Sequence, residues 1–199
     1  SGKQAAMLGF FPLDEGDAPE SYGKASHAIG TVDGVTGGKV SQPYLGDVSP
    51  DMDENNKGDW EGDDKSVTAD EGIDQLLPDD LKGATNEMIK LDRTRPGNYT
   101  LKVEAHTDGA DKAYLYGWID FNQNGKFDDN ERSDLATITK DGTVELKFNN
   151  GKAITDPTVT ELGVRVRIAK DAKEIESPTG MALSGEVEDF KTQVTFPPK

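Results

Sequence analysis

Apolar and polar residues alternate with period two in five runs beyond residue 98. In YTLKVEAHT, Leu101, Val103 and Ala105 alternate with Lys102, Glu104 and His106. In KAYLYGWIDF, Ala113, Leu115, Ile119 and Phe121 share one face, and Tyr114, Tyr116 and Trp118 the other. TVELKF places Val144, Leu146 and Phe148 together. TELGVRVRIA sets Leu162, Val164, Val166 and Ile168 against Gly163, Arg165 and Arg167. In EDFKTQVTF, Phe190, Val194 and Phe196 share a face. Successive strand side chains point to opposite sides, so these runs predict strands with one apolar face. TDGAD, KDG and NNGK separate them as turn signals, which predicts antiparallel pairing. No long segment has helical spacing, and residues 74–90 have room for one or two short helical turns. Half-apolar sheets bury their apolar faces against each other, so the expected fold is all-β, an antiparallel β-sandwich.

The remaining segments lack that rhythm. Residues 1–46 hold few periodic runs, and LDEGDAPESYGKASHAIG, rich in turn formers, is expected to wrap the outside of the core. Asp47–Asp80 is acidic and thinly apolar, and reads as a long acidic loop whose charges are either solvated surface or a binding face. The chain is read as a single domain over residues 1–196, with 197–199 as the start of a Pro-rich linker and the opening Ser-Gly as a scar of cutting from a longer polypeptide.

Composition narrows the function classes. Of 199 residues, 38 are acidic and 22 basic, a net charge of −16. That surface repels phosphate backbones and anionic lipid, so neither nucleic acid nor membrane is an expected partner. No apolar run approaches the roughly 20 residues of a membrane span. Cysteine is absent, which removes disulfides and thiol catalysis. His27 and His106 are the only histidines, each without a second His or Cys nearby, so zinc is not expected. Ser21 and Ser26 flank His27 only locally, and a catalytic triad is recognised by geometry rather than by such spacing.

The stretch IDFNQNGKFDDNE carries the most specific chemistry. Counted from Asp120, loop positions 1, 3 and 5 are Asp120, Asn122 and Asn124, and position 6 is Gly125. Position 7 is Lys126, offering its backbone carbonyl; position 9 is Asp128, and position 12 is Glu131. This is the ligand rhythm of an EF-hand loop, and many flexible oxygen donors suit Ca²⁺. The flanks are not helices, so the expectation is a calcium loop at the end of a strand, with a structural role. The alternative is a solvated Asn-Gly turn. Two Asn in place of Asp lower the ligand charge and place the affinity toward the extracellular range.

Other candidates are less specific. Glu186, Glu188 and Asp189 form a tight acidic cluster, in which Glu186 and Glu188 project from one face of a strand and read three ways: a catalytic carboxylate pair, part of a metal site, or acidic rungs paired with Arg165 and Arg167 across neighbouring strands. The ladder is the expectation, because buried charges need partners. Tyr114, Tyr116 and Trp118 form an aromatic stripe, expected to pack under loops, with a sugar or peptide platform as the alternative. Trp60, between Asp59 and Glu61 in an acidic loop, is the candidate ligand anchor, with Tyr44 as a second.

MALSGEVEDF, with PTG before it and GWIDFNQNGKFDDNE upstream, resembles the GEVED domain family of bacterial surface proteins. GDAPESYGKASHAIG resembles that family's opening motif and DEGID its acidic middle motif, so the likeness runs from about Gly16 to Phe190. Within the family the chain is similar to the non-repetitive ligand-binding region of CshA-type fibrillar adhesins of streptococci. The resemblance implies a lectin-like β-sandwich, a monomeric domain of a protein anchored in the cell wall outside the cell. It also implies adhesion to a host matrix glycoprotein such as fibronectin, or to a partner cell. A passive spacer and a polysaccharide-acting enzyme using Glu186 and Glu188 are the competing functions. No residue set assembles an acid, a base and an oxyanion donor in a readable motif, so an enzyme is not expected.

Overall fold

The structure is a computed structural model, and it describes residues 13–28, 42–46, 60, 99–149 and 161–193. The strands, in chain order, are β1 (Leu13–Glu15), β2 (Ala25–Ala28), β3 (Tyr44–Leu45), β4 (Tyr99–His106) and β5 (Ala113–Ile119). They continue as β6 (Ala136–Ile138), β7 (Gly142–Phe148), β8 (Glu161–Ala169), β9 (Gly180–Ala182) and β10 (Glu186–Gln193). The helical elements among the described residues are short 3₁₀ turns, at Glu20–Tyr22, Asp129–Glu131 and Ala172–Ile175. The all-β expectation therefore holds, and the five periodic runs are β4, β5, β7, β8 and β10.

Two sheets make the sandwich. One has the order β10-β8-β5-β6, the other β3-β4-β7, and every pairing within them is antiparallel. Their facing sides interdigitate Leu101, Val103, Leu146 and Phe148 with Leu115, Ile119, Val164, Val166, Ile168 and Phe190, all at most 5 % exposed. Burying each such side chain contributes about 1.5–3 kcal/mol, so this core is the dominant stabilising term.

A third layer covers the outer side of the four-stranded sheet. β1 and β2 pair antiparallel, and β2 runs parallel to β9. With the 3₁₀ turns at Glu20–Tyr22 and Ala172–Ile175 they lie over Tyr116, Trp118, Phe127 and Ala169, packing Ile175 and Ala182 of their own against them. The early segment thus wraps the core as its composition suggests, and the aromatic stripe packs beneath it, with Trp118 only 1 % exposed. β8 is consequently buried on both faces from Leu162 to Ala169.

Register decides what the outer face carries. Asp189 stands opposite Arg165, and Arg165 opposite Trp118; Val187 stands opposite Arg167, and Arg167 opposite Tyr116. Glu186 and Glu188 lie opposite Ile168 and Val166, on the core-facing side. The expected Arg–Glu ladder is therefore corrected. Directly paired residues of an antiparallel pair share a face, and here odd-numbered residues of β10 meet the odd-numbered arginines of β8.

Candidate functional site

The outer face is held by two buried guanidinium groups. Arg165 Nε and Nη2 donate to the two oxygens of Asp189, at 2.7 and 2.8 Å, a bidentate fork with both side chains fully buried. Its Nη1 donates to the carbonyls of Gly23 and Pro178. Asp189 also accepts from the Ala18 backbone N–H at 2.9 Å. The same carboxylate thus ties the N-terminal segment, β8 and β10 together.

Arg167 is satisfied differently. Its Nη1 donates to the carbonyls of Ser177 and Thr179, and its Nη2 to those of Gly180 and, at 3.4 Å, Ser26. Its Nε–H donates to His27 Nε2 at 3.0 Å. An acceptor Nε2 puts the imidazole proton on Nδ1, which donates to the Ser184 carbonyl at 2.6 Å. Burial, then the adjacent Arg167 charge, pushes the His27 pKa down to about 3, so the ring is neutral. Burial and the neighbouring Arg165 lower Arg167 to about 10, which still leaves it charged at neutral pH. His27 therefore serves as a buried acceptor for a cation, neither a nucleophile's base nor a zinc ligand in this arrangement.

The remaining letters of Gly185–Asp189 have roles in the same fold. Gly185 adopts φ +79°, and a Cβ there would lie 1.7 Å from the Ile168 carbonyl oxygen, so only glycine fits the turn into β10. The Val187 N–H donates to Asp14 Oδ2 at 2.7 Å. Glu186, at the rim of the core, accepts from the Leu45 N–H.

The loop after β5 begins at Asp120, which is 1 % exposed. Its carboxylate accepts from the Tyr22 hydroxyl at 2.7 Å and from the N–H groups of Asn124 and Gly125. Gly125 takes φ +77°, the left-handed conformation expected at the sixth loop position. Glu131, 3 % exposed, accepts from the N–H groups of Asn122 and Asp128. Both Asn122 and Asn124 direct amide N–H groups at Asp128 Oδ2, at 2.9 and 2.8 Å, and their Oδ1 atoms accept from the Asn124 and Lys126 backbone. The five oxygen-bearing side chains are thus gathered in one turn. Burial, reinforced by the charges of Asp120 and Asp128, lifts Glu131 to about 7, while the two amide donors keep Asp128 below the usual carboxylate range. Burial and the bond to Asp120 raise Tyr22 well above the usual phenol range. Among the described residues, no three Asp, Glu or His side chains are placed to hold a metal ion by themselves.

The ligand-anchor candidates separate. Trp60 is partly buried on the outer face of the four-stranded sheet, its ring edge-to-face with Tyr22 at 5.1 Å and its backbone N–H donating to the Asp17 carbonyl. Tyr44 belongs to the three-stranded sheet and stacks on His106 at 4.4 Å, with His106 bonded to Asp141. The two aromatics lie on opposite outer faces of the sandwich. Asp59 and Glu61 lie outside the described residues, as does nearly all of the acidic segment. The sequence offered Asp189 only as a member of the acidic cluster and His27 only as a histidine without a zinc or catalytic partner, and it singled out neither Asp14 nor Gly163 as a functional residue. The parity of Asp189 against the apolar Phe190 was the signal available for the first of them.

A three-layered all-β architecture with arginines clamped beneath an N-terminal wrap is the class that this geometry defines. Residues 114–193 match the family model of the GEVED domain, a domain found in bacterial surface proteins. No curated protein and no solved structure matches the chain.

Proposed function

We propose that this chain is a ligand-binding module of a bacterial cell-surface protein, and that the loop from Asp120 to Glu131 takes up a calcium ion that rigidifies the exit of β5. The observation that carries the calcium reading is the burial of Asp120 and Glu131 within one short turn that also gathers Asn122, Asn124 and Asp128. Two carboxylates at that depth repel one another, and a divalent cation offsets their charge. Asp120, Asp128 and Glu131 would supply the negative oxygens; Asn122, Asn124 and the Lys126 carbonyl would complete an oxygen set of the kind calcium accepts. Binding exchanges the amide contacts on Asp128 for the cation. The ion's part is to neutralise charge; the chain's own residues set the loop, through Tyr22 on Asp120 and the left-handed Gly125.

Occurrence of the GEVED domain in bacterial surface proteins supports an extracellular, cell-wall-anchored setting, where calcium is plentiful. The net charge of −16 favours a partner with basic segments, and a matrix glycoprotein such as fibronectin has the required chemistry. Calorimetric titration of EDTA-treated chain with CaCl₂ should give one saturable event, absent with Asp120→Ala and weak with MgCl₂. Absence of any calcium heat overturns the metal reading. Immobilised fibronectin and whole host cells test the binding reading, and failure to retain the chain on either overturns it.

A further inference from the structure

Where β5 passes into its loop, the outer face of the four-stranded sheet opens into a cleft of about 290 Å³ lined by Tyr22, Trp60, Gln123, Glu161, Gly163 and Lys191. The aromatic wall is built, not incidental. A Cβ on Gly163 would lie 2.6 Å from Trp60 Cη2, so the missing side chain is what seats the indole against β8. Tyr22 holds the indole edge-to-face at an interplanar angle of 73° and is itself fixed by its bond to Asp120. Trp60 and Gln123 both adopt left-handed backbone conformations, φ +64° and +56°. For non-glycine residues this costs on the order of 1 kcal/mol or more, and such strain gathers at ligand clamps.

The rest of the lining includes polar, solvent-exposed side chains. Lys191 Nζ stands 3.8 Å from Glu161 Oε2, with the two side chains 48 % and 52 % exposed. That loose pair offers both an ammonium donor and a carboxylate acceptor, and the exposed Gln123 amide carries one of each. A partly exposed aromatic wall facing mixed donors and acceptors suits a ring with apolar C–H faces and hydroxyl edges. The volume, at the small end of ligand sites, has room for one such ring rather than a peptide segment. One lysine beside Asp120 and Glu161, on a chain of net charge −16, disfavours an acidic sugar.

We propose that this cleft binds one neutral pyranose unit of a glycan, stacked on Trp60, with Glu161, Lys191 and Gln123 meeting its hydroxyls. The proposal deepens the binding-module reading and rests on it; it does not need the calcium ion. The test uses the full chain on an array of neutral glycans, followed by saturation-transfer NMR with the methyl glycoside of the sugar retained. Acrylamide quenching runs alongside, and because Trp118 is 1 % exposed the quenched signal is that of Trp60. Expected are retention of at least one neutral glycan, protection of Trp60 by its glycoside, and a tenfold or greater loss of affinity in Trp60→Ala. Lys191→Ala, a half-exposed surface change, should lose about fivefold and keeps the test sound if Trp60→Ala fails to fold. No retained neutral glycan, or equal binding by folded variants, overturns the proposal. So does protection of Trp60 by a Lys/Arg peptide instead of by any glycoside. Capture by a deglycosylated fibronectin fragment with no glycan retained would sink this inference and leave the binding-module reading standing.

Discussion

Neutral His27 makes stability fall with acid in a way that can be isolated. In the unfolded chain the imidazole titrates at its ordinary 6.5, whereas in the fold its pKa lies at about 3. Burial excludes the charged ring, and Nε2 faces the Arg167 guanidinium, so a second proton would put two cations in contact. Below pH 6.5 the unfolded state therefore binds a proton that the native state refuses. The stability tied to neutral His27 is fully present above 6.5 and is lost progressively as pH falls toward 3. The slope approaches about 1.4 kcal/mol per pH unit, and the loss at pH 5 is about 2 kcal/mol, or roughly 4–8 °C in Tm for a chain of this size. Glu131 works in the opposite sense. With its folded pKa raised to about 7, its protonated form stabilises the fold below its ordinary 4.5, a contribution lost as pH rises through 7. The raw pH profile therefore mixes the two, and the difference between wild type and His27→Gln, which shares Glu131, separates them. Urea unfolding of both, in EDTA, at pH 7.5, 6.5, 5.5 and 5.0 should show the wild type losing about 2 kcal/mol more than the variant between the ends of that range. Parallel profiles would refute the account of a neutral ring locked against Arg167.

The Asp189→Asn substitution should destabilise the fold by about 3–5 kcal/mol in urea unfolding, because it leaves the fully buried Arg165 without its carboxylate; a loss under about 1 kcal/mol would place the charge balance elsewhere. Gly185→Ala should cost more than about 2 kcal/mol, since its Cβ meets the Ile168 carbonyl, a backbone atom that cannot swing aside, at a positive φ; a melting temperature within a few degrees of wild type would show that the turn relaxes.

The sandwich was legible because its strands are long enough to display period two. β4, β5, β7, β8 and β10 span seven to nine residues each, and their apolar positions in the described residues are the core positions. β1, β2, β3, β6 and β9 have two to four residues, too few for a period to emerge; β3 and β6 are held by pairing at the sheet edges, and β1, β2 and β9 by contacts with the sheet they cover. The arginine partners were misassigned because spacing alone does not set register. Yet Phe190, read as a core residue, already implies the parity: Glu186 and Glu188 share its face and Asp189 does not. His27 could not be read as an acceptor for Arg167 from 140 residues away in the chain, since neither residue's neighbours announce the other. The loop from Asp120 to Glu131 was legible because its donors are local in sequence. Trp60's seat on Gly163 was not, since it joins a lone aromatic to a missing side chain on a distant strand.

The GEVED span of residues 114–193 cannot be understood apart from what precedes it. Its core faces Leu101, Val103 and Ala105 of β4, the strand that pairs with β7 along seven residue pairs. Its outer face depends still more on the early segment. Asp14 receives the Val187 N–H, Ala18 donates to Asp189, Tyr22 caps Asp120, Gly23 accepts from Arg165, and His27 accepts from Arg167. Remove residues 13–28, and two buried guanidinium groups lose part of their partner set while an aromatic stripe meets water. Such a face is unstable alone, because uncompensated buried charge is among the costliest defects a fold can carry. The backbone groups of Ala18, Gly23 and Ser26 and the ring of His27 are therefore the complement of Arg165, Arg167 and Asp189, much as apolar residues complement a core. The same segment brings Tyr22 to both the loop oxygens and the aromatic wall, so the wrap that closes the fold also builds the floor on which a ligand would sit.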